Sequence, residues 1–455
     1  MSSFRHETTL PVSAEEAWAW HENQGAFGRL LPPWQKARVI HHPERLVDGT
    51  RLEFELVKGP FRLRWLAEHR NVRPGRGFDD VQVEGPFRSW RHRHELLPEG
   101  SGESRLRDRI EYQLPLPPLG GWLAGRAVRR DLERTFAYRQ RVLRGDLALH
   151  SEHRQRPRQR IAVTGATGLV GRVLCDVLTT GGHRVVRLSR RPTEPDMVGW
   201  GPRRGVDSPA ALEGIDAVVH LAGENIAAER WTERQMEKIR ASRVEGTEWL
   251  IDSLERLERP PRTFLCASAI GIYGDRGDEV LTEASGPGEG FLADVGEAWE
   301  TAATRAGELG ARVVTARFGI VLSPRGGALG KMLPAFRLGL GGPFGNGRQG
   351  TSWVTIDDAV GALVHLLMES DAEGPFNVVA PGSVSNVELA RTLGGVLRRP
   401  AAMPLPAPVA RLAFGRMADE MLLASAWVRP ERLVDAGFEF RFPELEGALR
   451  HLLGR

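Results

Sequence analysis

Lysine is almost missing from this chain: of 62 basic residues only Lys36, Lys58, Lys238 and Lys331 are not arginine. Formal net charge is only +4, and no basic stripe interleaved with aromatic residues is present, so a nucleic-acid footprint is not expected. Cysteine is equally scarce. Cys175 and Cys266 each sit in an apolar stretch and read as buried thiols, which excludes a disulfide framework or a cysteine metal site. No run approaches the ~20 apolar residues of a membrane span. The stretch from Met1 to Pro11 lacks the apolar core of a secretory leader, and the cytoplasm is the expected location. Tyrosine occurs three times, as Tyr112, Tyr138 and Tyr273, never with lysine four residues later. A Tyr-x-x-x-Lys proton-transfer pair is therefore excluded.

Against these absences stands one strongly patterned stretch, I-A-V-T-G-A-T-G-L-V-G from Ile161 to Gly171. Three apolar residues of strand character run into glycines at 165, 168 and 171, followed by helical spacing through Val173, Leu174 and Val177. Strand, tight turn and helix in this order aim backbone N–H groups and a helix N-terminus at one point, which suits a pyrophosphate. Gly165 allows the turn, Gly168 lets the backbone approach the phosphates, and Gly171 lets helix and strand pack closely. The spacing G-x-x-G-x-x-G differs from the G-x-G-x-x-G fingerprint, so its context has to support the assignment.

The chain before this point has a basic excess and the chain after it an acidic one, so two different modules are expected. Residues 1–150 open with a strand at Phe4–Leu10 and a helix start at Ser13 with Glu16 three residues on. Strand-like runs follow at Arg51–Val57, Phe61–His69, Asp79–Val83, Trp90–Leu97 and Ser104–Gln113, and a closing helix spans Trp122–Leu147. This is an α+β plan with a sheet wrapped on a helix. His92 and His94 share a strand face, but no third ligand stands at a recognisable spacing. Hydrogen-bonded or solvent-facing histidines are expected, and no metal. Trp18, Trp20, Trp34, Trp65, Trp90 and Trp122 are core residues or pocket walls. The segment 151–160, S-E-H-R-Q-R-P-R-Q-R, reads as a solvated basic linker.

From Ile161 onward strands alternate with helices, which predicts an α/β, doubly wound parallel sheet with its ligand at the C-terminal strand edge. The second strand ends Ser189-Arg190-Arg191, where a carboxylate would be needed to hold a free ribose 2′-hydroxyl. Serine and arginine suit a 2′-phosphate, so NADP(H) is the expected cofactor.

Two resemblances follow from motifs. G-P-F-R-S-W-R-H-R-H (Gly85–His94) and L-R-D-R-I-E-Y-Q-L-P (Leu106–Pro115), within the plan above, resemble the helix-grip, START-like and polyketide-cyclase-like proteins (SRPBCC). This implies an apolar ligand in a cavity between sheet and helix. The series G-A-T-G-L-V-G, H-L-A-G-E-N-I (His220–Ile226), S-A-I-G-I-Y-G (Ser268–Gly274), R-F-G-I-V-L-S (Arg317–Ser323), L-G-L-G-G-P-F-G-N-G-R-Q (Leu338–Gln349), W-V-T-I-D-D (Trp353–Asp358), N-V-V-A-P (Asn377–Pro381) and R-P-E-R-L-V-D-A-G-F-E-F (Arg429–Phe440) resembles the extended short-chain dehydrogenase/reductases. Within them it resembles the branch of epimerase family proteins with a DUF1731-type C-terminal segment.

The second resemblance implies a Rossmann-type domain at 161–380 and a small substrate-side lobe at 381–455. It implies cofactor binding by Gly165, Thr167, Gly168, Leu169, Val170, Gly171, Ser189, Arg190, Arg191, Leu221, Ala222, Gly223, Glu224, Arg243 and Ser268. Ordinary members transfer a proton with Tyr-x-x-x-Lys, the lysine lowering the tyrosine's pKa. Here anchoring on Glu300 places Leu292 and Gly296 at those positions. Tyr273 and Ser268 are the catalytic candidates, with Glu224 and Lys331 as other ionisable groups near the site. The glycine-rich segment 338–350 lacks a P-loop ending and suits a mobile lid or a plain surface loop. Two functions are open: a reductase or epimerase of a small apolar or carbonyl-bearing substrate, or a non-catalytic NADPH-dependent binding or sensing protein. The oligomeric state is open as well.

Overall fold

The computed structural model describes all residues but 101, 116–120 and 195, and all side chains but those of these residues, 58 and 121–123. Trp122, a pocket candidate, thus has its side chain outside the described residues. Two compact units divide the chain, one built on Met1–Pro157 and one on Arg158–Cys175 with His183–Leu453.

In the first unit seven strands form one antiparallel sheet: β1 (Ser2–Leu10), β2 (Lys36–His41), β3 (Arg51–Lys58), β4 (Phe61–Arg73), β5 (Gly77–Glu84), β6 (Ser89–Glu99) and β7 (Glu103–Gln113), in the order β1-β7-β6-β5-β4-β3-β2. Alternation sets the inner face. On β7 Ser104, Leu106, Asp108, Ile110 and Tyr112 are buried while their neighbours are not. Helix α1 (Ala14–Glu22) starts on the expected capping box, with Ser13 and Glu16 exchanging side-chain to backbone hydrogen bonds at 3.2 and 3.1 Å. A short helix α2 (Gly25–Leu30) follows, and helix α3 (Gly121–Glu152) turns Leu132, Phe136, Leu143 and Leu147 inward. The expected helix is longer than its apolar spacing suggested, and its last turn includes Ser151 and Glu152 of the basic segment. Strand β2 was not expected. It is a sheet edge, largely exposed and irregular between Val39 and His41, so no alternation marks it.

The second unit is organised on an eight-stranded sheet in the order β11-β10-β9-β8-β12-β13-β15-β19. Its strands are β8 (Arg160–Thr164), β9 (Arg184–Ser189), β10 (Met197–Gly201), β11 (Gly205–Val206), β12 (Ala217–His220), β13 (Thr263–Ala269), β15 (Arg312–Phe318) and β19 (Gly374–Val378). All neighbours are parallel except β10 and β11. Central strands are buried along almost their whole length, as a sheet covered on both faces requires. Helices α4 (Leu169–Thr180), α5 (Glu233–Leu254), α6 (Phe291–Thr304), α7 (Gly327–Arg337), α8 (Ile356–Met368) and α9 (Asn386–Leu397) belong to this unit. Small two-stranded ribbons complete it: β14 (Val280–Leu281) with β21 (Trp427–Val428), β16 (Ile320–Leu322) with β18 (Trp353–Thr355), and β17 (Gly350–Thr351) with β20 (Val384–Ser385). The doubly wound sheet and the preceding α+β helix-grip region are thus as expected, while the short β10 and β11, rich in glycine, escaped the reading.

The 338–350 segment is a loop held by close packing and hydrogen bonds. A Cβ at Gly350 would stand 2.6 Å from the Trp427 ring, and one at Gly342 2.1 Å from the Met403 carbonyl oxygen. Asn386 Oδ1 accepts from the Phe344 N–H at 2.8 Å, and Gln349 Nε2 donates to the carbonyls of Phe344 and Leu422. Glycines serve here for close packing. Residues 407–423 form two helical pieces, broken at Gly415 (φ 62) between α10 (Ala407–Phe414) and a π-helical turn at Ala418–Leu423.

Candidate functional site

Strand order reverses between β8 and β12, and a sheet of this kind opens its ligand crevice there. Thr164 closes β8 with its hydroxyl 2.7 Å from His220 Nδ1, and the same oxygen accepts the N–H groups of Leu221 and Ala222 at 3.1 Å. One buried side chain thereby fixes the loop after β12 beside the turn after β8. Two of the three glycines are required by their surroundings. Gly165 has φ 66, and a Cβ on it would lie 2.9 Å from the Leu221 carbonyl. A Cβ on Gly171 would lie 2.2 Å from the Gly165 oxygen, so α4 packs directly on the turn. Thr167 and Gly168 are exposed, and Leu169 and Val170 are half-buried, at the mouth of the α4 N-terminus.

At the end of β9 the Ser189 hydroxyl bonds the backbone of Arg191 at 3.1 and 3.2 Å. Arg190 and Arg191 are exposed, and neither side chain has an ion pair among the described residues. Arg187, one turn of strand earlier, is already committed to Asp196 and Glu194. Arg243 is differently placed from Arg190: its guanidinium donates to the Glu224 and Ile239 carbonyls and lies 5.0 Å from the Trp299 ring. Burial brings its pKa down to about 10. It holds the Leu221–Glu224 loop in place. Gly223 is exposed, and a Cβ there would stand 3.3 Å from that guanidinium. The Glu224 side chain reaches Gln235 at 3.5 Å, and Lys331 Nζ donates to the Ala227 carbonyl.

The catalytic candidates lie in a closed network. Register sets Ser268, Arg317 and Asn377 side by side on β13, β15 and β19. Arg317 forks onto Glu300 of α6 at 2.7 and 2.8 Å, and Ser268 donates to Glu300 Oε1 at 2.6 Å. Tyr273 has no exposed surface; its hydroxyl donates to Asn377 Oδ1 and accepts from Arg317 Nη1, both at 2.8 Å. Burial pushes its pKa up, opposed by the neighbouring Arg317 charge. A proton donor must reach a reacting atom, and this hydroxyl has its donor and acceptor directions engaged inside the protein. Tyr273 and Ser268 are thus joined through Arg317 and Glu300 in one hydrogen-bonded network. On α6 a Cβ on Gly296 would meet Ile272 at 3.0 Å. Arg317 and Asn377 were missed because only cross-strand register brings them to Ser268.

The first unit has a partly open cavity of about 920 Å³. Phe54, Trp65 and Trp90 wall it, with Trp34 also in the lining, whereas Trp18 and Trp20 are buried core. His92 and His94 also line it, with Asp80 opposite His92 on β5. Asp108 of β7 bonds His92 Nε2 at 2.8 Å, and His69 Nδ1 bonds Asp80 Oδ1 at 2.7 Å. The His94 Nε2 to Asp80 Oδ2 distance is 3.3 Å. Desolvation brings His92 down to about 4, with the neighbouring His94 adding to it. Burial would lower His94 as well, but the carboxylates of Asp108 and Asp80 beside it win and raise it to about 9. The histidines are hydrogen-bonded as expected; the carboxylates were missed because they lie on neighbouring strands.

The fold and crevice define the second unit as a nicotinamide-dinucleotide-type Rossmann module of the extended short-chain dehydrogenase/reductase class. Residues 161–379 match the model of the NAD dependent epimerase/dehydratase family, 405–452 match DUF1731, a domain of unknown function, and 10–137 match the polyketide cyclase/dehydrase and lipid transport model. The epimerase family protein Mb2239 of Mycobacterium bovis is 40% identical over 296 residues, 65% of this chain and 98% of that protein. Human epimerase family protein SDR39U1 is 37% identical over 297 residues, 65% of this chain and 99% of the relative. The chain belongs to this epimerase family. A solved structure of a Corynebacterium glutamicum nucleoside-diphosphate sugar epimerase covers 99% of this chain and 90% of its own, at 34% identity and a TM-score of 0.81. The structure of human SDR39U1 isoform 2 with NADPH covers 65% of this chain and 99% of its own, at 37% identity and a TM-score of 0.60. Among the described residues no helix is long and apolar enough to cross a membrane.

Proposed function

We propose that the second unit binds NADP(H) at the crevice between β8 and β12 and uses it as an oxidoreductase or epimerase on a small carbonyl-bearing or apolar molecule. The observation that carries this reading is the end of β9: two exposed arginines without ion pairs among the described residues, Arg190 and Arg191, follow Ser189 where NAD would require a carboxylate. The turn itself fits a pyrophosphate, because Gly165 and Gly171 let the backbone close tightly on Leu221 and on the N-terminal turn of α4, where Thr167 and Gly168 are exposed. Thr167, Leu169 and Val170 border that cradle, Leu221, Ala222 and Gly223 flank it, and Arg243 positions the flanking loop. The human relative solved with NADPH supports the same choice. When bound, NADP(H) supplies or takes up a hydride. The accompanying proton falls to Glu224 or Lys331, the ionisable side chains bordering the loop after β12. Residues 161–380 form the cofactor domain, 381–455 the substrate-side lobe, 151–160 the connection, and 1–150 a module holding an apolar ligand in its cavity.

A second reading is favoured by the closed Ser268–Glu300–Arg317–Tyr273 network: the cofactor is then a structural or reporting ligand. Single-turnover oxidation of bound NADPH by a carbonyl panel, including nucleotide sugars, separates the two. Oxidation that survives in Tyr273→Phe and falls in Glu224→Gln or Lys331→Met supports the enzyme. Tight binding without oxidation by any compound supports the second reading.

A further inference from the structure

We propose that Asp80, His92 and His94 bind a divalent transition-metal ion at the polar end of the first unit's cavity. One donor atom from each of the three lies within 4.8 Å of the others. Donors held at about 2.0–2.1 Å in a tetrahedral shell stand roughly 3.4 Å apart. The 3.3 Å between His94 Nε2 and Asp80 Oδ2 matches that spacing, and is long for a charge-assisted hydrogen bond. Two imidazoles and one carboxylate form a donor set suited to Zn²⁺ or Fe²⁺, with coordination positions left for water or a ligand oxygen.

The surroundings carry the inference further. Metal-bound histidines and carboxylates are held by outer partners that fix their orientation. Asp108 takes Nε2 of His92, which in the neutral ring leaves Nδ1 with its lone pair, and His69 takes one oxygen of Asp80. His94 Nδ1 stands 2.9 Å from Asp108 Oδ1 but lacks hydrogen-bond geometry, although His94 is only 7% exposed. His21 Nε2 is also buried without a partner, its ring 6.3 Å from that of His94. The His92 and His94 ring centroids are 3.8 Å apart, so the two imidazoles are in direct contact beside Asp80. Arg139 lines the same cavity and is the competing cation for the two carboxylates.

The test uses the full chain, stripped with chelator and titrated with Co²⁺ and Zn²⁺. One saturable equivalent per chain is expected, with tetrahedral-type Co²⁺ absorption displaced by Zn²⁺. Asp108→Asn should weaken binding about 10–100-fold, and Asp80→Asn, which removes a ligand at nearly constant shape, should weaken it more. Zinc X-ray absorption on the unaltered protein requires no folded variant, and a shell containing two imidazoles is expected. Absence of saturable binding, equal binding by Asp80→Asn, or a shell without imidazole would overturn the assignment in favour of a plain His–Asp–Arg ion-pair network.

Discussion

Removing the hydroxyl of Tyr273 leaves two buried groups short of a partner. Asn377 Oδ1 loses a donor at 2.8 Å, and Arg317 Nη1 loses an acceptor at 2.8 Å while its fork on Glu300 remains. A buried polar group left unsatisfied costs about 1–3 kcal/mol. Tyr273→Phe should therefore destabilise the second unit by about 2–4 kcal/mol. With an unfolding entropy of about 2 cal/mol/K per residue over roughly 300 residues, the midpoint should fall by about 3–6 °C. The relevant transition in a two-unit chain is the one that NADPH raises, since a ligand stabilises only the unit that binds it. Differential scanning calorimetry with and without NADPH identifies it. NADPH affinity and any single-turnover oxidation should stay within twofold of wild type. An unchanged midpoint together with abolished oxidation would refute the reasoning and return Tyr273 to the role of proton donor.

Three further outcomes are expected. Burial brings the pKa of His220 down to about 3 from 6.5, helped by the Arg243 charge, so the unfolded chain takes up a proton that the folded unit refuses. The stability is fully present above pH 6.5 and is lost as pH falls toward 3, by up to about 1.4 kcal/mol per pH unit; melts across this range should flatten in His220→Gln. Restoring the absent pair as Leu292→Tyr with Gly296→Lys should cost about 1–3 kcal/mol through overpacking on Ile272 and give no gain in oxidation, read by calorimetry and single turnover. Gly165→Ala should lose NADPH affinity at least about tenfold, because its φ of 66 and the 2.9 Å approach to Leu221 force the turn to move; fluorescence titration reads this.

Local chemistry made much of this molecule legible. The glycines at 165, 168 and 171, the capping box at Ser13 and the alternation on β6 and β7 each act within a few residues, so their structural roles follow from spacing. Family motifs carried the parallel sheet and the order of the modules. What escaped depends on register between distant segments. Asp80 and Asp108 become partners of His92 and His94 only when β5, β6 and β7 align, and Arg317 reaches Tyr273 and Glu300 only across β13, β15 and α6. Tyr273 was singled out for its chemistry, whereas the acceptor of its hydroxyl, Asn377, lies 104 residues away. Glycines at 342, 347 and 350 looked like flexibility because the groups that close on them, the Met403 backbone and the Val387 and Trp427 side chains, lie far along the sequence.

The most direct measurement is a paired fluorescence titration with NADPH and NADH of the unaltered chain and of Arg190→Ala with Arg191→Ala. NADPH should bind at least about tenfold more tightly than NADH, and the double substitution should erase that preference while leaving NADH affinity unchanged, as expected for loss of a charge-assisted phosphate contact. Equal affinity for the two cofactors in the unaltered chain, or a preference that survives the loss of both arginines, would contradict the account.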